Sequence, residues 1–211
     1  VAMMMMQAKQ KFSEAAQSGY HVEVVRCPSN LDRWHLVNEY LKLRKEVFVD
    51  RLEWPLFHAE ELEFEQYDSF DTVYVIATLN GVTVGGARLR RANQVSGKGQ
   101  LQYSYMIRDA CLGILPGLPD NLCYEVPSMD TSMWEITRMV VKGPREISRM
   151  ILAKVNEFLS EEGAETVLFL GSPAFKRMAN SLNWPVKQLG PVTGNDDGAF
   201  QVFECPVRKL E

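Results

Sequence analysis

Apolar and polar positions follow two different periods along this chain, and the switches between them mark the elements. From His21 to Cys27 the pattern opens with a period of two, Val22 and Val24 flanking Glu23, and predicts a strand. A helical period follows. Leu36, Tyr40, Leu43 and Val47 form one stripe and Val37, Leu41, Arg44 and Phe48 a second, so residues 30–50 predict a helix, with Ser29 and Asn30 as candidate N-caps. Residues 51–71 lack a clean period and read as a long ordered loop. Thr72 to Leu79, Asn80-Gly81 and Val82 to Arg90 predict a hairpin, because Asn-Gly accepts the positive φ angles of a tight turn.

Gly and Pro punctuate residues 92–132, which predict only one short helix, near Ile107 to Leu112. Met133 to Val141 reads as a buried strand. Gly143-Pro144 introduces a helix with the core stripe Ile147, Ile151, Val155 and Phe158, and Gly163 stops it. Glu165 to Leu170 predicts a strand, Ala174 to Leu182 a helix, and Val186 to Leu189 and Phe200 to Cys205 two further strands. The strand-helix-strand unit over 133–170 implies a parallel strand pair within a mixed sheet, hence an α/β fold. No internal repeat or linker divides the chain. Residues 1–20, with a short helix over Lys9 to Ala16, read as an N-terminal extension, partly helical or mobile. Residues 21–211 read as a single domain.

Composition narrows the function classes. The 211 residues are 46% hydrophobic and 24% charged, the balance of an ordinary globule, and 23 basic against 27 acidic side chains leave a net charge of −4. That charge disfavours nucleic acid as a partner. Cys27, Cys111, Cys123 and Cys205 form no CxxC pair, and His21, His35 and His58 are scattered, so no metal site is expected. No apolar run reaches the roughly 20 residues that span a bilayer. Val1 to Met6 is apolar but too short for a signal-peptide core. A cytoplasmic protein without a membrane partner is expected.

Three segments carry candidate chemistry. In Trp134-Glu135-Ile136-Thr137-Arg138-Met139 an ionisable pair lies inside an apolar strand, which is costly unless each charge is partnered. Strict alternation places Glu135, Thr137 and Met139 on one face and Trp134, Ile136 and Arg138 on the other, so Glu135 and Arg138 are expected to find separate partners. The acids Glu63, Glu65 and Asp68, interleaved with Phe64 and Tyr67, are either a solvated loop or the counter-charges of buried arginines. Arg88 follows Gly85-Gly86 in the hairpin's return strand, and Arg44 shares a helix face with Val37, Leu41 and Phe48. Together these arginines and carboxylates are able to cancel in one cleft and hold a zwitterion; structural salt bridges are the plainer alternative.

Their order resembles the LuxI-type autoinducer synthases. That family carries Arg, then Phe, then Trp at the end of an N-terminal helix, matched by Arg44, Phe48 and Trp54. Its acidic triplet is matched by Glu63, Glu65 and Asp68, its hairpin arginine by Arg88, and its Trp-Glu-x-Ser/Thr-Arg strand by Trp134, Glu135, Thr137 and Arg138. A late pattern is matched by Arg177-Met178, Trp184-Pro185 and Leu189-Gly190. The match spans roughly residues 23–192. It departs at Glu65, where the family usually has Asp.

The resemblance implies an acetyltransferase-like (GNAT-like) fold: a mixed sheet splayed into a V between two parallel central strands, here 133–141 and 165–170, with helices on both faces. It implies acyl-homoserine-lactone synthesis. An acyl group passes from acyl-carrier protein or acyl-CoA to the amine of S-adenosylmethionine, and lactonisation then expels methylthioadenosine to give a quorum-sensing signal. S-adenosylmethionine is then a substrate, and no cofactor is expected. Glu135 is the candidate general base, acting through a water; Arg44, Arg88 and Arg138 orient the acids Glu63, Glu65 and Asp68 and the substrate. Arg44, Phe48, Trp54 and Thr137 mark the S-adenosylmethionine side. Met133, Met139, Leu168, Phe169, Leu170, Phe175 and Met178 are expected around the acyl pocket, and Lys142, Arg145, Arg149 and Lys154 where a carrier docks. A GNAT-like N-acyltransferase that does not lactonise and a non-catalytic sensor domain are the competing readings.

Overall fold

In the computed structural model, which describes residues 19–181, 184–195 and 198–209, the hairpin signal at Asn80-Gly81 closes two strands of one large mixed sheet. Both turn residues have positive φ, +51° and +82°. The helix expected over Lys9 to Ala16, and Leu182 at the end of the expected last helix, lie outside the described residues.

Strand β1 (Tyr20–Arg26) comes first. A 3-10 turn (Leu31–Arg33) leads into helix α1 (Trp34–Arg44), which widens into a π-type stretch over Lys45–Arg51. The helix expected over 30–50 is thus three successive hydrogen-bonding patterns. Asn30 does not cap it; its side chain accepts the backbone N–H of Arg26 at 3.0 Å. The stretch expected as loop holds a small hairpin, β2 (His58–Ala59) and β3 (Leu62–Glu63). Then follow β4 (Val73–Leu79), β5 (Val82–Arg91), β6 (Ser96–Lys98), β7 (Leu101–Tyr103), α2 (Met106–Cys111), β8 (Met133–Val141), α3 (Arg145–Glu161), β9 (Thr166–Gly171), α4 (Pro173–Ser181), β10 (Lys187–Gln188), β11 (Thr193–Asn195) and β12 (Gly198–Pro206). Gly163, just past α3, has φ +70°, as a helix stop requires.

The sheet order is β1-β4-β5-β8-β9-β12-β10, with β11 hairpinned to β12. Among the described residues only β8 and β9 are parallel, and they pair over four residues, from Met133↔Thr166 to Ile136↔Phe169. Beyond Ile136 the register between them ends, so the sheet splays where the sequence places Thr137 to Val141.

Period-two alternation sorts the core onto two faces. Val73, Val75, Ala87, Leu89, Trp134, Ile136, Val167, Phe169 and Phe203 pack under α3 and α4. Val155 and Ile151 of α3 are fully buried there, and full burial of such a side chain contributes roughly 1.5–3 kcal/mol. The other face carries α1, over Tyr74, Ile76 and Val140, and α2, over Met133, Leu168 and Val202. Between α1 and α2 that second face is polar, and the candidate chemistry lies there.

Candidate active site

Three arginines and three carboxylates close a ring. Arg44, in the last turn of α1, donates Nε–H to Glu63 and its two terminal nitrogens to Asp68, Nη1 to Oδ1 at 2.8 Å and Nη2 to Oδ2 at 3.0 Å. Arg88 on β5 shares Asp68 Oδ2 with Arg44, donating Nη1 to it at 3.0 Å, and donates Nη2 to Glu65. Arg138 donates Nη2 to Glu65 Oε2 at 2.9 Å and lies 3.4 Å from Glu63 Oε1. Each arginine thereby touches two acids and each acid two arginines, so the formal charges cancel. Tyr74 OH and the backbone N–H of Glu65 also donate to Asp68, each at 3.0 Å.

Four members of the ring, Arg44, Arg88, Glu63 and Asp68, have no more than 1% side-chain exposure; Arg138 at 10% and Glu65 at 14% form its one open edge. Burial alone would push Asp68 up, but Arg88 and Arg44 overcome it and hold its carboxyl well below the usual range. The same competition, burial against Arg88 and Arg138, lowers Glu65. At the one departure from the family pattern, Glu65 bridges two guanidinium groups, one through each oxygen, as Asp68 also bridges two.

Arg138 reaches this ring because strict alternation fails. Gly86 faces Val140 and Arg88 faces Thr137, so Arg138 and Met139 together oppose Ala87 in a β-bulge. Arg138 sits at φ +52°, in the left-handed region. The bulge turns Arg138 to the face of Glu135 and Thr137 and moves Met139 to the face of Trp134, reversing both expected placements. Glu135 and Arg138 still have separate partners, as expected. Thr137 Oγ1 accepts Arg88 Nε–H at 3.1 Å.

Glu135 sits one residue pair before the splay, 1% exposed. Its Oε2 accepts the N–H of Met106 at 3.1 Å and its Oε1 that of Ile107 at 2.7 Å, so it satisfies two free donors at the start of α2. Burial outweighs these bonds and the nearby Arg88 and Arg90, and raises the carboxyl to about 7. A carboxyl balanced there is able to take up and release a proton near neutral pH.

The seven apolar residues expected around one acyl pocket do not converge. Met139, Phe169, Phe175 and Met178 lie on the α3/α4 face, with Phe169 4.1 Å from Phe175 and 5.1 Å from Phe203 between ring centres. Met133, Leu168 and Leu170 lie on the α2 face. Neighbours in a strand point to opposite faces, so Leu168 and Phe169 cannot line one chamber. Phe48 and Trp54 stack on each other, rings 5.1 Å apart and within 3° of parallel. Of the basic residues, Arg145 and Arg149 are exposed on α3, while Lys142 pairs with Glu46 and Lys154 with Glu157.

Other polar groups at the site escaped the sequence. Arg90, across from Glu135 in the β5–β8 register, is buried and bonds Ser104 C=O, Ser69 Oγ at 3.1 Å and Ser96 Oγ at 2.7 Å. Asp109 is buried on α2, accepting Tyr67 OH at 2.8 Å and the N–H and hydroxyl of Ser104. Tyr40 reads as core in its helical stripe, yet its OH donates to the Arg138 carbonyl at 2.6 Å. Only the position of Arg90, two residues after Arg88 on one strand face, was a usable signal.

The chain is similar to known proteins. A family model described as autoinducer synthase matches residues 29–198. An acyl-homoserine-lactone synthase from Aeromonas salmonicida is 28% identical over 179 residues, 80% of this chain and 78% of that protein. The structure of BjaI, a CoA-dependent acyl-homoserine lactone synthase solved with SAM and isopentyl-CoA, superposes with a TM-score of 0.73 at 20% identity, over 90% of this chain and 84% of that one. TofI, solved in a ternary complex with an inhibitor and MTA, gives 0.72 at 22% identity, over 89% and 91%. These likenesses show the fold: a GNAT-like mixed sheet with helices on both faces.

Proposed function

The chain belongs to the autoinducer synthase family, and from that premise we propose a division of labour within an acyl-homoserine-lactone synthase. The enzyme joins an acyl group to the amine of S-adenosylmethionine: the nitrogen attacks the thioester carbonyl, the C–N bond forms and the thiol leaves. The substrate's own carboxylate oxygen then attacks the γ-carbon, the C–S⁺ bond breaks, and methylthioadenosine departs with the electron pair.

The observation that carries the assignment is the closed ring with its single open edge. A neutral, rigid ring offers an incoming zwitterion both signs of charge without reorganisation. The Arg138 guanidinium receives the substrate carboxylate, and Glu65 faces the ammonium and sulfonium. Arg44, Arg88, Glu63 and Asp68 hold those two groups in place, and Thr137 fixes Arg88. The stacked Phe48 and Trp54 supply an aromatic wall on the same side.

Glu135 removes a proton from the substrate amine through a water, since both its oxygens already hold backbone donors. Backbone N–H groups at the splay receive the oxyanion. The acyl chain runs beside Phe169, Phe175, Met139 and Met178. The exposed Arg145 and Arg149 meet the donor, and they suit the phosphates of acyl-CoA as well as an acidic carrier, so the donor is acyl-carrier protein or acyl-CoA. The scheme uses proton transfer and substrate leaving groups alone, so no cofactor enters it. Among the described residues no helix is long and apolar enough to cross a membrane, and both substrates are intracellular metabolites, which supports a cytoplasmic workplace.

The test is to supply S-adenosylmethionine with a panel of acyl-CoA and acyl-carrier donors and follow products by mass spectrometry. Equal release of thiol and methylthioadenosine is expected. Thiol release without methylthioadenosine would assign a non-lactonising N-acyltransferase, and no turnover on any donor would assign a sensor.

A further inference from the structure

We propose that Tyr40 is a positioning residue for the reaction, acting through Arg138 by locking the β8 bulge that aims this arginine at the open edge of the ring. The proposal rests on the synthase reading above. A non-glycine residue in the left-handed region is held there only when its surroundings over-determine it. At φ +52° Arg138 has two such restraints: its guanidinium on Glu63 and Glu65, and its carbonyl, which accepts the Tyr40 hydroxyl at 2.6 Å.

Tyr40 is built in from every side. It is fully buried, meets Tyr74 edge-on at 5.9 Å, and carries the Arg44 guanidinium 5.5 Å above its ring. Tyr74 in turn donates to Asp68. On β5, Gly86 makes room for the ring, since a Cβ there would lie 2.7 Å from Tyr40 Cδ2. Gly86 is also the residue facing Val140, where the register slips. So α1 serves the site twice, through Arg44 directly and through Tyr40 by way of the bulge. Burial raises the phenol well above its ordinary value, which keeps it a hydrogen donor across the working pH range.

The experiment is a double-mutant cycle with Tyr40→Phe, Arg138→Gln and the pair. Tyr40→Phe keeps the ring and removes one hydrogen bond, so its melting temperature should stay within a few degrees of wild type. We expect kcat/KM for S-adenosylmethionine to fall about tenfold, the worth of one buried hydrogen bond, with KM for the acyl donor unchanged. In the Arg138→Gln background the same change should have no further effect, in turnover or in S-adenosylmethionine affinity by calorimetry. Wild-type kcat/KM in Tyr40→Phe overturns the proposal, as does an equal tenfold loss in both backgrounds or a matching rise in both KM values. Failure of the wild-type chain to release methylthioadenosine would instead remove the synthase reading.

Discussion

Arg44 and Asp68 meet through two parallel hydrogen bonds, Nη1 to Oδ1 and Nη2 to Oδ2, with both side chains fully shielded from solvent. Such a pair is expensive to halve, because the remaining charge stays buried. Asp68→Asn is expected to cost about 3–5 kcal/mol at neutral pH, read by denaturant unfolding. Because the folded carboxyl is held below its ordinary value of 3.8, its stabilisation is present above that value and is lost as pH falls through and below it. The gap between wild type and variant should therefore close in acid.

Glu135→Gln keeps one acceptor for the α2 amides but no base. We expect methylthioadenosine release to drop at least about a hundredfold, with circular dichroism unchanged. Wild-type turnover in this variant would remove Glu135 as the base.

Glu135 also sets a pH dependence. With its carboxyl at about 7, kcat/KM should fall as pH drops through that value and level off above it. For stability the sign is opposite to that of Asp68. The folded value lies above the ordinary 4.5, so this group favours the fold below 4.5, and the advantage is lost as pH rises toward 7. Relative to wild type, Glu135→Gln should gain stability between pH 5 and pH 8 by an amount on the order of 3 kcal/mol.

Phe175 packs against Phe169 on the α3/α4 face, ring centres 4.1 Å apart. Phe175→Ala should shift the preferred acyl donor toward longer chains, read as product distribution by mass spectrometry. An unchanged distribution would move the acyl chain to the Met133–Leu168 face.

Arg145 and Arg149 are exposed on α3. Replacing both by Glu should raise KM for an acyl-carrier donor about tenfold at low salt, the difference shrinking as salt screens it. KM for S-adenosylmethionine should not move.

Much of the fold was legible because it rests on local rules. Asn80-Gly81 specifies a turn, the stripe Ile147–Ile151–Val155–Phe158 specifies a buried helix face, and the strand-helix-strand unit specifies a parallel pair. The hairpin at His58–Glu63 was not legible, because two-residue strands leave no period to read. Glu135 and Arg138 were legible as costly charges inside an apolar strand that demand partners, whereas Glu63, Glu65 and Asp68 read equally as a solvated loop and were singled out by the family resemblance.

What the sequence determined by itself, then, was which charges are candidates for pairing and in what order they occur. Which pairs form was decided by the tertiary structure. One extra residue in β8 reverses the faces of Arg138 and Met139 and closes the ring through Glu63 and Glu65. The physical reason is that a bulge is set by the register between two strands and by the phenol of Tyr40 packed against them. Neither is a property of any single segment, so alternation read along β8 alone had no access to it.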